Sequence, residues 1–282
     1  MRLRLAALTI ALLGIIASSL PAAAGPGQYQ APRKYYLALG DSLAYGFEDA
    51  RFTIGAPAET FDTGYVDDFA QAIHSLRPGV GVTNFGCPGE TTSSYFTGCA
   101  WHLTPLHDPY SSSQEVAALG FLNAHPGQVS PITVDLGAND ALGLIFGCNF
   151  QSSCVAQGLP GVLRTVGSNL SRMLAELRAA APRSEIIVMQ YYNPLYVLAP
   201  STDVLVLQLN GVIAAAAAPS GARLADAFPV INENPAFLSE GLAVCGLTGM
   251  CVPGGDVHAN DAGYALIARQ FWAASGYGRL DD

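Results

Sequence analysis

Tyr35-Tyr36-Leu37-Ala38-Leu39-Gly40-Asp41-Ser42 is the stretch on which the fold is read. Five β-type residues run without polar alternation into Gly-Asp-Ser, as a strand buried on both faces of a parallel sheet would. Working outward, similar short runs follow at Val80–Asn84, Ile132–Leu136, Glu185–Gln190 and, more weakly, Ala222–Ala225. Helical patterns lie between them. The clearest is Val162, Leu163, Val166, Leu170, Met173, Leu174 and Leu177, an i, i+3, i+4, i+7 stripe opposite Arg164, Ser171 and Arg178. Residues 203–218 are apolar nearly all round, which predicts a deeply covered helix. A last helix runs from Asp261 to about Ala274, with Asn260 as its cap. Strands alternating with helices predict an α/β protein with a parallel sheet covered by helices.

Of the 282 residues, 50% are apolar and only 12% charged, a composition that folds and excludes a disordered chain. The net charge of −9 removes the electrostatic footprint of a nucleic-acid binder. Residues 1–24 read as a signal peptide: Arg2 and Arg4, an apolar stretch from Leu5 to Leu20, then Pro21-Ala22-Ala23-Ala24. The stretch is short for a stable span, so an uncleaved anchor is the lesser reading. Cleavage near Ala24 would remove two bases and no acid, taking the net charge to −11. Residues 25–33, rich in Gly, Pro and Gln, form an expected flexible lead-in. With no repeat, charge run or low-complexity linker beyond it, 34–282 reads as a single domain of an exported, soluble protein.

The six cysteines fit that compartment. They fall into sequence-local pairs, Cys87–Cys99, Cys148–Cys154 and Cys245–Cys251, and disulfides are expected there. Zinc is the competing reading, but there is no Cys-x-x-Cys and His102 near Cys99 is a lone candidate ligand.

In open α/β sheets the loops after the strands build the site, so the long stretches 46–63, 97–113 and 229–256 and the strand ends are where chemistry is sought. The first strand ends in Gly40-Asp41-Ser42, where the serine offers either a nucleophile or a helix cap. The second leads into Asn84-Phe85-Gly86-Cys87-Pro88-Gly89, where a glycine offers an unobstructed main-chain N–H or simply a turn. The third ends in Asp135-Leu136-Gly137-Ala138-Asn139-Asp140, whose amide could donate to a developing oxyanion or form an Asx-turn. Near the C-terminus, His258 stands beside Asp256 ahead of a helix, as a general base would. His74, His102, His107 and His125 lack comparable neighbours and read as structural or solvent-facing.

In this order the four blocks resemble those of the SGNH (GDSL) hydrolase superfamily, over about residues 34–275. The Gly40-Asp41-Ser42 and Gly137-Ala138-Asn139-Asp140 blocks are specific, and three local disulfides are similar to those of secreted bacterial members. The resemblance implies a three-layer α/β/α fold with a central parallel, flavodoxin-like five-stranded sheet. It implies Ser42 as nucleophile, His258 as base, and an oxyanion hole of the Ser42 and Gly89 N–H groups and the Asn139 amide. No metal or cofactor is needed, and the chain lacks the Gly-x-Ser-x-Gly elbow of ordinary α/β hydrolases. One departure stands out. The usual Asp-x-x-His block would put Asp at 255, where this chain has Gly255, with Asp256 one residue nearer His258. Either Asp256 orients the imidazole, or a main-chain carbonyl around Gly255 does, leaving a Ser–His dyad.

The expected activity is hydrolysis of acyl esters, with a carbohydrate O-acetylesterase and a non-catalytic envelope-binding protein as the competing readings. The partner is then a small-molecule or lipid ester, with no nucleic acid and no stable membrane insertion, and a monomer is expected. The run Ala141–Phe146 could line an acyl pocket or pack on the core. Tyr45, Phe47, Tyr95, Phe96 and Trp101 lie on candidate rim loops. Each proposed disulfide falls in a loop carrying one catalytic part, either bracing it or simply stapling an exported protein.

Overall fold

The computed structural model describes residues 31–280; the signal-peptide stretch 1–24 and most of the lead-in lie outside them. In chain order the elements are β1 (Tyr35–Gly40), α1 (Ser42–Tyr45), α2 (Tyr65–Leu76), β2 (Gly81–Asn84), α3 (Ser94–Thr97), α4 (Gln114–Ala124) and β3 (Val129–Asp135). Then come α5 (Ala138–Gly147), α6 (Ser152–Ala180), β4 (Ile186–Gln190), α7 (Asp203–Ala217), β5 (Arg223–Asp226), α8 (Phe228–Ile231), α9 (Glu240–Leu247) and α10 (Asp261–Ser275). The five strands form one sheet in the order β2-β1-β3-β4-β5, every pair parallel. This is the flavodoxin-like order in a three-layer α/β/α arrangement. α2 and α10 pack together on one face, and α4, α6 and α7 lie in a row on the other.

The central strands are covered on both faces, β3 buried at all seven positions and β1 at five of six, which is why β1 lacks polar alternation. The α6 stripe does the same from the helical side: Val166, Leu170, Met173, Leu174 and Leu177 have no exposed surface. The last helix begins where its cap predicted, Asn260 accepting from the Gly263 N–H. Where the lead-in enters the described residues it is docked. The Arg33 N–H donates to Ser130 and the Arg77 guanidinium to the Pro32 carbonyl.

Two expectations need correcting. The weak fifth strand lies one residue later than read, at Arg223–Asp226. The helix over 203–218 is not deeply covered, for Val204 and Leu207 are more than half exposed. Its apolar character comes largely from Ala and Val, and only the face with Leu209, Ile213, Ala216 and Ala217 is buried. By length and composition alone Pro200–Ser220 could cross a membrane; here it lies along α6 and β4. The six cysteines form Cys87–Cys99, Cys148–Cys154 and Cys245–Cys251. That leaves no thiolate for the zinc reading.

Candidate active site

The strand order assembles the site. It reverses between β1 and β3, and their register sets Gly40 opposite Asp135. The segments that follow, Asp41-Ser42 and Gly137-Ala138-Asn139, therefore leave the same sheet edge side by side. On the other flank β2 pairs with β1 and delivers Gly89. Ser42 opens α1, whose cap is Asp41: its Oδ1 accepts from the Leu43 N–H at 2.9 Å. From the far end of the chain, α10 docks through the Tyr264 hydroxyl, which donates to the Phe47 carbonyl at 2.8 Å. The loop ahead of α10 then hangs over Ser42.

Ser42 Oγ lies 2.8 Å from His258 Nε2, although 216 residues separate them in sequence. His258 Nδ1 lies 2.5 Å from Asp256 Oδ1, which also accepts the His258 main-chain N–H at 3.0 Å. Asp256 Oδ2 accepts the Asp49 N–H at 2.9 Å. The carboxylate, and not the Gly255 carbonyl, is thus the hydrogen-bond partner of Nδ1 among the described residues. The one-residue displacement of the acid is accommodated by Gly254 and Gly255, at φ +100° and +70°, a turn closed to most side chains. Gly249 lets the acid sit close: a Cβ there would come within 2.6 Å of Asp256 Cβ. Phe47 covers the imidazole, ring centroids 4.8 Å apart.

The Asn139 amide points into the same place. Its Nδ2 donates to Asp41 Oδ2 at 3.2 Å and to the Glu90 carbonyl at 3.0 Å, while the Tyr191 hydroxyl reaches the same Asp41 oxygen at 3.4 Å. Sequence reasoning gave Asp41 no role beyond its place in the block and missed that it anchors this amide. Its place inside Gly-Asp-Ser was the available signal.

The buried acids are held in unlike states. Burial pushes Asp41 up to about 7, against the Leu43 N–H, the His258 charge and the Tyr191 hydroxyl, which pull it down. Burial, together with the Asp41 charge, also raises Asp135 well above the carboxylate range. Glu90 rises to about 6 by burial. Asp256 goes the other way. Burial would raise it, but the hydrogen bond and charge of His258 and the N–H groups of His258 and Asp49 outweigh this and hold it below its ordinary value.

Ser42, Gly89, Asn139 and His258 all line one cavity of about 440 Å³. The run 141–146 contributes to it through Ala141, Leu142, Ile145 and Phe146, so it lines a pocket and also packs inward at Ile145. Of the five aromatic rim candidates, Phe47 and Trp101 line the cavity. Tyr45 and Tyr95 are buried, Tyr45 because its hydroxyl is tied inward to Thr104. Phe96 lies beneath the Arg172 guanidinium. The remaining histidines bond main-chain carbonyls: His74 to Val80, His102 to Ala100, His107 to Tyr45 and His125 to Phe121. The disulfides fall near the site, Cys87 two residues before Gly89 and Cys245–Cys251 ahead of His258.

Residues 38–266 match the model of the GDSL-like lipase/acylhydrolase family. No curated protein matches the chain. Among solved structures it is similar to an acetylxylan esterase from Geobacillus stearothermophilus, at 18% identity and TM-score 0.56, covering 87% of this chain and 95% of that one. An α/β hydrolase from the metagenome of Lake Arreo, Spain, matches at 16% identity and TM-score 0.56 over 89% and 99% of the two chains. A member of the lipolytic G-D-S-L family from Veillonella parvula matches at 15% and 0.52 over 85% and 96%. At such identities these likenesses carry the fold.

Proposed function

The chain belongs to the GDSL-like lipase/acylhydrolase family and is an acyl ester hydrolase, and from that premise we propose that it works through a Ser42–His258–Asp256 triad. Ser42 Oγ attacks the ester carbonyl while His258 Nε2 takes its proton, then gives it to the leaving alcohol. Asp256 keeps the Nδ1–H tautomer and stabilises the imidazolium. The Ser42 and Gly89 N–H groups and the Asn139 amide receive the oxyanion, the amide giving up a ground-state hydrogen bond to do so. Water, activated by His258, releases the acyl group. The observation that carries this reading is the unbroken line of contacts from Ser42 Oγ through the imidazole to Asp256, with Ser42 and His258 lining a cavity. No metal or organic cofactor enters any step.

The apolar stretch of 1–24 and the disulfides support an exported protein working outside the cytoplasm. A second reading, carbohydrate O-acetylesterase with the same machinery, is favoured by the acetylxylan esterase among the similar structures. Covalent labelling by a fluorophosphonate is the test of the mechanism. Label on wild type that vanishes in Ser42→Ala is expected; label that persists in Ser42→Ala would sink it. Release of acetate from acetylated xylan, with no turnover of longer model esters, would favour the second reading.

A further inference from the structure

The cavity over Ser42 is much larger than an acetyl group requires. Its 440 Å³ falls in the roughly 300–1,000 Å³ range of sites that enclose whole small molecules. Its walls are mostly apolar, with Leu142, Ile145, Leu195, Leu205 and Leu209 prominent, although Asp41, Thr91, Asn193 and Thr202 also reach it. Part of this wall is separate from the main core. Ile145, Cys148, Val155 and Leu195 form a satellite cluster, against which Leu142, Leu205 and Val257 pack. Cys148–Cys154 closes the connection from α5 to α6, and Cys148 packs in that cluster, so the bridge backs the wall.

Charge distribution points the same way independently. In a chain of net charge −9, no charged residue occurs between Asp140 and Arg164, nor between Asp203 and Arg223. These are the two stretches that supply α5, the start of α6, and α7. The acids that border them are engaged by neighbours: Asp140 accepts from the Thr92 N–H and hydroxyl, and Asp203 from the Asn193 amide. Phe146 lines the cavity while 48% exposed, with the equally exposed Phe150 edge-on to it. The cavity is therefore bounded by two helices uncharged beyond their first turns and by Phe146, a surrounding suited to hydrocarbon.

We propose that this cavity takes the acyl chain of the ester, that the chain is of medium length or longer, and that the Cys148–Cys154 bridge sets the preference by holding α5 against Leu195 and Leu205. The inference rests on the ester-hydrolase reading above. Each methylene moved from water into the cavity favours the longer ester by about fourfold, and binding that persists into the transition state appears in kcat/KM. Acetyl esters forgo nearly all of it.

The test compares kcat/KM for p-nitrophenyl octanoate and p-nitrophenyl acetate, per fluorophosphonate-labelled Ser42. Wild type should favour octanoate by more than about tenfold, given the per-methylene factor. Leu205→Trp, which fills the cavity, and Cys148→Ser/Cys154→Ser, which frees the wall, should each lower that ratio about tenfold or more. Leu205→Ala, a milder change, should move the optimum toward palmitate. A wild type that prefers acetate overturns the acyl-chain site. A ratio unchanged in the cysteine variant, with Leu205→Trp shifted, overturns the role of the bridge. Absence of turnover on both esters together with absence of Ser42 label would instead sink the ester-hydrolase reading itself.

Discussion

Replacing Asp256 by Asn tests the reasoning at its most exposed point, because the sequence left a triad and a dyad equally open. The carboxylate accepts three N–H groups: His258 Nδ1–H, the His258 main chain and the Asp49 main chain. A carboxamide has one oxygen with which to replace two. If that oxygen turns to Asp49, the NH2 group meets the imidazole and favours the tautomer with its proton on Nε2, which cannot accept from Ser42. If it turns to His258, the NH2 group confronts the Asp49 N–H, and a partly buried donor is left unsatisfied. Either way the imidazolium loses its counter-charge. In a serine hydrolase where such an acid was replaced by its amide, kcat fell about 10⁴-fold, which is about 5 kcal/mol of transition-state stabilisation. The expected result for Asp256→Asn is a kcat loss of that order on p-nitrophenyl butyrate, with KM little changed and a wild-type-like melting curve. Asp256→Ala should be as inactive. A variant with a native melt that kept more than about a tenth of wild-type kcat, against the four orders expected, would show that the Asp256 contact does not serve catalysis.

Asn139→Ala should lower kcat by about 10²–10³ with KM nearly constant, the usual cost of one oxyanion donor; equal losses in KM and kcat would place the amide in ground-state binding instead. Gly249→Ala should reduce kcat more than stability, since its methyl would sit 2.6 Å from Asp256 Cβ and displace the acid; a wild-type kcat would mean the loop yields freely. Folding stability should fall as pH rises through 6 to 7, because burial raises Asp41 to about 7 and Asp67 and Glu90 to about 6. A carboxyl raised in the folded state stabilises fully below its unfolded pKa and loses that contribution as pH passes the folded one. Between pH 5 and 8 Asp41 alone would account for about 2–3 kcal/mol, so urea unfolding at the two pH values should show a smaller drop in Asp41→Asn than in wild type; an equal drop would exclude Asp41 as its source.

The helical layers and the strand set were legible because burial writes itself into local pattern. The fully buried Tyr36–Leu39 of β1 reads as an apolar run, and the α6 stripe could only face a core. The Ser42, Asn139 and His258 segments were legible because each sits at a strand end or helix start, where small and polar residues are conspicuous. What failed was side-chain direction. Tyr45 and Tyr95 lie on candidate rim loops yet point into the protein, and α7 exposes the apolar face that a sequence count would bury. Neither property is encoded within a few residues.

By itself, the sequence determined the alternation of strands and helices, the local pairing of the cysteines, and which residues could do chemistry, because all of these depend on neighbours along the chain. Only the tertiary structure decided that Asp256 reaches His258 Nδ1 and that Asp41 holds Asn139. It alone decided that α5 and α7 border a cavity beside Ser42. Those outcomes depend on the parallel register of β1 and β3, on two left-handed glycines and on the docking of α10, which bring together groups up to 216 residues apart.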